Sequence, residues 1–90
     1  MRESFGIAAF RSRQQVMRFE SALRRVGIFA RVVTTPREVA MGCGLSVRFE
    51  LKDLAAVKDV LARENPGNLI GLYRVDYDNN HPVISVIGRR

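Results

Sequence analysis

Cys43 stands between two glycines in Thr35-Pro36-Arg37-Glu38-Val39-Ala40-Met41-Gly42-Cys43-Gly44-Leu45, where one apolar run ends and the next begins. Gly42 and Gly44 admit positive φ and close backbone approach, so a turn here can push the sulfur outward and aim amide N–H groups at it. Such a nest favours thiolate over thiol. The Arg37 guanidinium, in the same connection, would lower the thiol pKa for the same electrostatic reason. The chemistry expected of this group is that of an exposed sulfur nucleophile. The competing reading is a small buried hydrophobe, drawn into a core by Met41 and Leu45.

Composition limits what surrounds that thiol. The chain has 90 residues, 47% of them hydrophobic, which predicts one small folded domain with a modest core. One cysteine excludes an internal disulfide, and one cysteine with one histidine excludes a self-contained zinc or iron–sulfur site, so no metal and no cofactor is expected. The net charge of +6 points to attraction for polyanions without choosing among nucleic acid, an acidic protein face and anionic lipid. No stretch is apolar enough for a signal peptide or a membrane span, so the expected setting is the cytoplasm, where a lone thiol stays reduced.

The elements that must position the thiol follow from periodicity. Phe5-Gly6-Ile7-Ala8-Ala9-Phe10 is a compact apolar run and reads as a central strand. Ser12 with Gln15 three residues on forms a capping-box pattern, and Val16, Phe19, Leu23 and Val26 then fall on one helical face, with Arg13, Arg18, Arg24 and Arg25 on the other side or its edges. Gly27 predicts the helix end. Residues 28–33 read as a second strand, stopped by Thr34-Thr35-Pro36, and the strict alternation from Leu45 to Leu51 reads as a third, with one face buried and one wet. Arg37 to Met41 has room for a short helical turn. Asp53 is placed to cap a second helix with Leu54, Val57, Val60 and Leu61 inward, and Asn65-Pro66-Gly67 ends it. Strands over 69–75, extending towards Tyr77, and over 83–87 flank the turn chemistry of Asp78-Asn79-Asn80-His81-Pro82.

The order β-α-β-β-α-β with an added β predicts an α+β, ferredoxin-like sandwich: one antiparallel sheet, two helices on one face, and an extra C-terminal strand. Residues 1–77 would form the main domain and 78–90 a C-terminal hairpin extension of it. In that plan Cys43 falls in the connection between the second and third strands, at the end of the sheet, where a residue is usually exposed.

Thr35-Pro36-Arg37-Glu38 followed by Cys43-Gly44-Leu45-Ser46-Val47-Arg48-Phe49, after a β-α-β unit ending Gly27-Ile28, resembles the small bacterial proteins described as selenium/sulfur carrier-like, over roughly residues 5–75. The resemblance implies a carrier in which Cys43 holds sulfur or selenium as a persulfide-type adduct. A cysteine desulfurase-type donor would load it and an acceptor protein would receive it, with Arg37 and the Gly42 and Gly44 amides stabilising the thiolate. Ala40 and Gly42 stand where the family often carries small polar residues, which removes hydroxyl assistance at those positions. The final hairpin extends beyond the family domain and offers a means of pairing two copies.

Two other functions compete. Ferredoxin-like sheets bind RNA through aromatics on their central strands, and Phe5, Phe10 and Phe49 lie on such strands. Against this, Arg48-Phe49-Glu50-Leu51 departs from the ribonucleoprotein signature, and Phe49 shares a face with Leu45 and Val47, which reads as core. The other alternative is a regulatory or assembly module dimerised through the last hairpin. His81 reads as a turn residue before Pro82, and Asp76 and Asp78 as solvated carboxylates.

Overall fold

The computed structural model describes residues 3–39, 44–78 and 80–89. The apolar run near the N-terminus forms β1 (Glu3–Phe10), and its residues from Phe5 to Phe10 are all buried, on both faces of the strand. The first helix, α1 (Arg13–Arg25), buries Val16, Phe19, Ala22 and Leu23. Then come β2 (Ala30–Thr34), β3 (Leu45–Phe49), α2 (Leu54–Glu64), β4 (Leu69–Asp78) and β5 (His81–Arg89). Together they make a small mixed α/β fold whose five-stranded antiparallel sheet has the order β2-β3-β1-β4-β5.

Register assigns the two sheet faces. Ala8 lies opposite both Val47 and Leu72, and these residues join Phe10, Phe49 and the buried residues of both helices in the main core. The neighbouring register rows, Ile7 with Arg48 and Tyr73 and Phe5 with Val75 and Ile84, therefore point to the other face. There Phe5, Ile7 and Val75 form a second, smaller buried cluster with Val33, Tyr73, Tyr77 and Ile84 packed against it.

The helix ends show which local signals act. Gly27 has φ +83°, its N–H donates to the Arg24 carbonyl, and the Ile28 N–H donates to the Leu23 carbonyl. This is the paired hydrogen-bond pattern of a Schellman ending, and Leu23 and Ile28 both enter the core. Ser12 does occupy the N-cap in an extended conformation, but its hydroxyl makes no capping hydrogen bond, so the expected capping box is not formed. Val26 was expected on the buried helical face and is instead 49% exposed, because the chain has left the helix there and turns at Gly27; Ala22 completes the face. At α2, Asp53 is the N-cap, again without a side-chain hydrogen bond, and Asn65 ends the helix at φ 44°.

Strand lengths differ from the pattern-based limits. Ile28 is tied to the helix end and Phe29 is 58% exposed, so β2 starts at Ala30. The alternation continuing to Leu51 does not keep the third strand extended, since Leu51–Asp53 is a 3-10 turn entering α2. The last two strands are longer than expected because the connection takes only residues 79–80, with Asn80 at φ 67°, a conformation that suits a tight hairpin. The β4–β5 register shifts between Leu72 and Tyr73, leaving Ile87 as the extra residue of a bulge.

The β2 edge is sealed by α1. Glu20 accepts a hydrogen bond from the Val32 N–H at 3.1 Å, Arg24 donates to the Ala30 carbonyl at 3.3 Å, and the two side chains approach each other at 3.8 Å. Groups that would otherwise offer a pairing edge are thereby occupied.

Phe49 crosses the sheet over Gly6, where a Cβ would come within 2.4 Å of the ring, and Phe49 is fully buried with no route of escape. Gly6→Ala is expected to destabilise the fold by about 1–3 kcal/mol through overpacking. Denaturant melts should show that loss shrinking in a Phe49→Leu background; equal losses in both backgrounds would place the strain elsewhere.

Candidate functional site

The connection from β2 to β3 holds the residues singled out for chemistry, and its base is closed by a compact set of contacts. The Thr35 N–H donates to the Gly44 carbonyl at 2.9 Å, extending the β2–β3 ladder one step past Thr34 and Leu45. The Thr35 and Ser46 hydroxyls are hydrogen-bonded at 2.7 Å, and Ser46 is a buried polar residue of the sheet, with no exposed surface. Pro36 follows, and its carbonyl accepts the Val39 N–H at 2.9 Å, so Arg37–Val39 forms a single 3-10 turn within the expected helical segment. Val39 is buried, while Arg37 and Glu38 are exposed.

These contacts explain the Thr-Pro-Arg-Glu segment physically. Threonine supplies both a backbone and a side-chain tie to the returning strand, and proline fixes φ while turning the chain into the 3-10 turn. Arginine and glutamate are left outward. Gly44 has φ +84° and open space where a Cβ would be, so it is glycine for backbone reasons, not for want of room. A residue with a side chain in that region costs about 1–2 kcal/mol.

The site residues named from the sequence divide accordingly. Cys43 and Gly42 lie outside the described residues, as do Ala40 and Met41. Arg37 stands exposed on the outgoing limb, with no ion pair among the described residues. Gly44 stands on the returning limb, half-buried and held by Thr35. The loop was expected to project from the end of the sheet, an expectation that falls on residues 40–43, outside the described residues; at its start the chain borders the face opposite the helices. There Thr34 and Pro36 border a cleft of about 200 Å³ together with Phe5, Ile7, Arg48 and Tyr77.

Sequence reasoning missed this cleft. Its floor is Phe5, stacked against Tyr77 at a ring separation of 6.0 Å, and the Arg48 guanidinium lies 3.8 Å above the Phe5 ring. Glu3 accepts a hydrogen bond from Arg48 at 2.7 Å. A guanidinium in that position contributes about 0.5–1 kcal/mol at an exposed site. The signal was present in the alternation of Leu45 to Phe49, which places Ser46 and Arg48 on the face away from Val47. That face had been expected to be wet, but the loop and the tyrosines cover part of it.

Phe10 and Phe49 are buried on the helix side, and Phe10 packs against Phe19 at 5.5 Å. Neither presents a ring for stacking a base. Asp76, expected to be solvated, stays partly exposed and accepts hydrogen bonds from Ser4 and from Arg74. His81 begins β5 and is exposed. Among the described residues, no group of three or more His, Cys, Asp or Glu gathers where a metal ion could be held. No helix among them is long and apolar enough to cross a membrane.

Against known families, the family model described as "Putative Se/S carrier protein-like" matches residues 5–74. The chain belongs to that family. The matched span runs from β1 into β4, so it contains the whole β2–β3 connection and leaves β5 outside. No curated protein and no solved structure gives a significant match.

The Thr35–Ser46 contact can be tested by itself. Thr35→Val leaves a buried serine hydroxyl without its partner and is expected to cost about 1–3 kcal/mol, whereas Thr35→Val with Ser46→Ala removes both groups and should recover part of that loss. Thermal unfolding of the two variants checks this, and a double variant weaker than the single one would contradict it.

Proposed function

We propose that this protein carries sulfur or selenium on Cys43 as a persulfide-type adduct, taken from a cysteine desulfurase-type donor and surrendered to an acceptor protein. The observation that carries the reading is the family membership itself, which spans the loop containing the chain's one thiol. The fold supports it as well: closure of the loop base by Thr35, Gly44 and Ser46 fixes the chain on either side of the segment that contains Cys43. We read the arrangement of β2-β3-β1-β4 with its two helices as ferredoxin-like, with residues 1–77 as the carrier unit and 78–90 as its extension. A reducing, cytoplasmic setting suits a free thiol.

The transfer needs no cofactor and no net redox change. The Cys43 thiolate attacks the outer sulfur of a donor persulfide, a new sulfur–sulfur bond forms, the donor's bond breaks, and the donor leaves as its own thiolate. The acceptor's thiolate repeats the exchange in the other direction. With a single cysteine in the chain there is no resolving thiol to collapse the adduct into an internal disulfide, so the cargo persists until a second protein takes it. Arg37, at the start of the loop, and the Gly42 and Gly44 amides supply positive potential for the anion. On this reading the protein is a carrier and performs no turnover of its own.

Incubation of the wild type and Cys43→Ala with a cysteine desulfurase and radiolabelled cysteine tests the proposal. Reductant-labile label is expected on the wild type and absent from the variant, with unchanged circular dichroism. Equal labelling of both proteins, or none on the wild type, rejects a carrier role for Cys43.

A further inference from the structure

The two edges of the sheet are treated differently. At β2, Glu20 and Arg24 occupy the Val32 N–H and the Ala30 carbonyl. At β5, which runs nine residues from His81 to Arg89, no hydrogen bond of this kind joins a side chain of the described residues to the backbone. Residues 82–88, Pro-Val-Ile-Ser-Val-Ile-Gly, hold no charge, although the chain has 15 Lys and Arg and a net charge of +6. Edge strands are ordinarily guarded by charges, above all lysine, by proline, by bulges or by a covering element; β5 has Pro82 near one end and the Ile87 bulge near the other, and the stretch between them, Val83 to Val86, carries none of these.

We propose that β5 is the site of self-association, pairing antiparallel with β5 of a second copy about a two-fold axis to form a continuous ten-stranded sheet. The backbone supplies the first reason. In a hairpin with a two-residue connection, the flanking pair Asp78–His81 is hydrogen-bonded, so Val83 and Ser85 engage β4 while Ile84 directs its N–H and C=O outward. Pro82 lacks an N–H on that side, which marks an edge position and leaves its carbonyl as an acceptor.

The side chains supply the second reason. Val83 and Val86 are 56% and 48% exposed and, three positions apart on a strand, point to opposite faces. Antiparallel pairing would give each of them an apolar neighbour across the new seam. On the helix side, the sheet outruns its helices, leaving an open groove of about 420 Å³ between α2 and the hairpin, where Leu61, Leu69, Leu72 and Gly88 meet. A two-fold axis perpendicular to the sheet keeps both helix layers on the same side and sets the two grooves next to each other.

Charge selects the occupant. An acidic partner would gain nothing from residues 82–88, whereas a second copy, which the net charge of +6 would repel along a basic surface, meets no charge along this segment. An isologous contact also closes on itself, and with the β2 edge sealed it cannot propagate into a fibre. The proposal is independent of the sulfur-carrier reading, because it makes no use of Cys43.

Sedimentation velocity of the full chain over a wide concentration range tests it, with Val86→Lys as the disrupting variant and Met17→Lys, an exposed position on α1, as the control. The wild type and the Met17 variant should sediment as dimers and the Val86 variant as a monomer with native circular dichroism. Hydrogen exchange adds a local readout: the Ile84 amide should be protected in the wild type and fast in the Val86 variant. A wild type that stays monomeric, a dimer indifferent to both Val86→Lys and Val83→Lys, an unprotected Ile84 amide, or an assembly larger than a dimer overturns the proposal.

Discussion

Everything in this fold is arranged around a strand that must be dry on both sides. From Phe5 to Phe10 every residue of β1 is buried, yet two helices of 13 and 11 residues can cover only one face of the sheet. The helices take Ala8 and Phe10, and Gly6 provides the gap that Phe49 fills. The other face has to be closed by something else. Phe5, Ile7 and Val75 are shielded by Tyr73, Tyr77 and Ile84 from the strands, and the first residues of the β2–β3 connection border the same side. At about 25 cal/mol per Å² of apolar surface removed from water, closing that second cluster is a substantial part of what a small domain has available.

That constraint ties the loop to the core. Ser46 stands opposite Ala9 of β1 on the face away from the helices, and the Thr35 hydroxyl satisfies it. Separating the loop from the sheet would expose apolar surface and leave a buried hydroxyl without a partner, so two energetic terms of different kind hold the same few residues. Thr35, Pro36 and Gly44 act as a frame, through a double tie, a fixed φ and a positive φ respectively. The residues left outward by that frame, Arg37 among them, are free to meet other molecules.

The edges follow a parallel logic. The first helix, which helps bury the main core, also lies beside β2, and Glu20 and Arg24 close it at little cost because they already sit on that helix. Among the described residues no side chain makes the equivalent hydrogen bonds to the outer backbone of β5. An edge of this kind is stable when short, charged or paired, and β5 is neither short nor charged between Pro82 and Gly88.

Periodicity and turn chemistry were enough to identify every strand and helix, because the signals are local: alternation in Leu45–Phe49, the helical face of Val16, Phe19 and Leu23, and the ending at Gly27. The family was legible too, from two short segments, Thr35–Glu38 and Cys43–Phe49, that lie close together in the chain. Boundaries were less so, and Val26, Phe29 and Leu51 were misplaced because each keeps the pattern of its element while the backbone has already turned. The sequence alone determined which thiol the chain has and that Gly44 and Thr35 flank its loop. Only the tertiary structure decided that Ser46 is the partner of Thr35, that Arg48 lies over Phe5, and that one sheet edge is sealed by side chains of the neighbouring helix. Those are contacts between residues far apart in the chain, 11 positions for Thr35 and Ser46, or relations of one element to another, and no local pattern encodes a distance that the packing of the whole chain has to set.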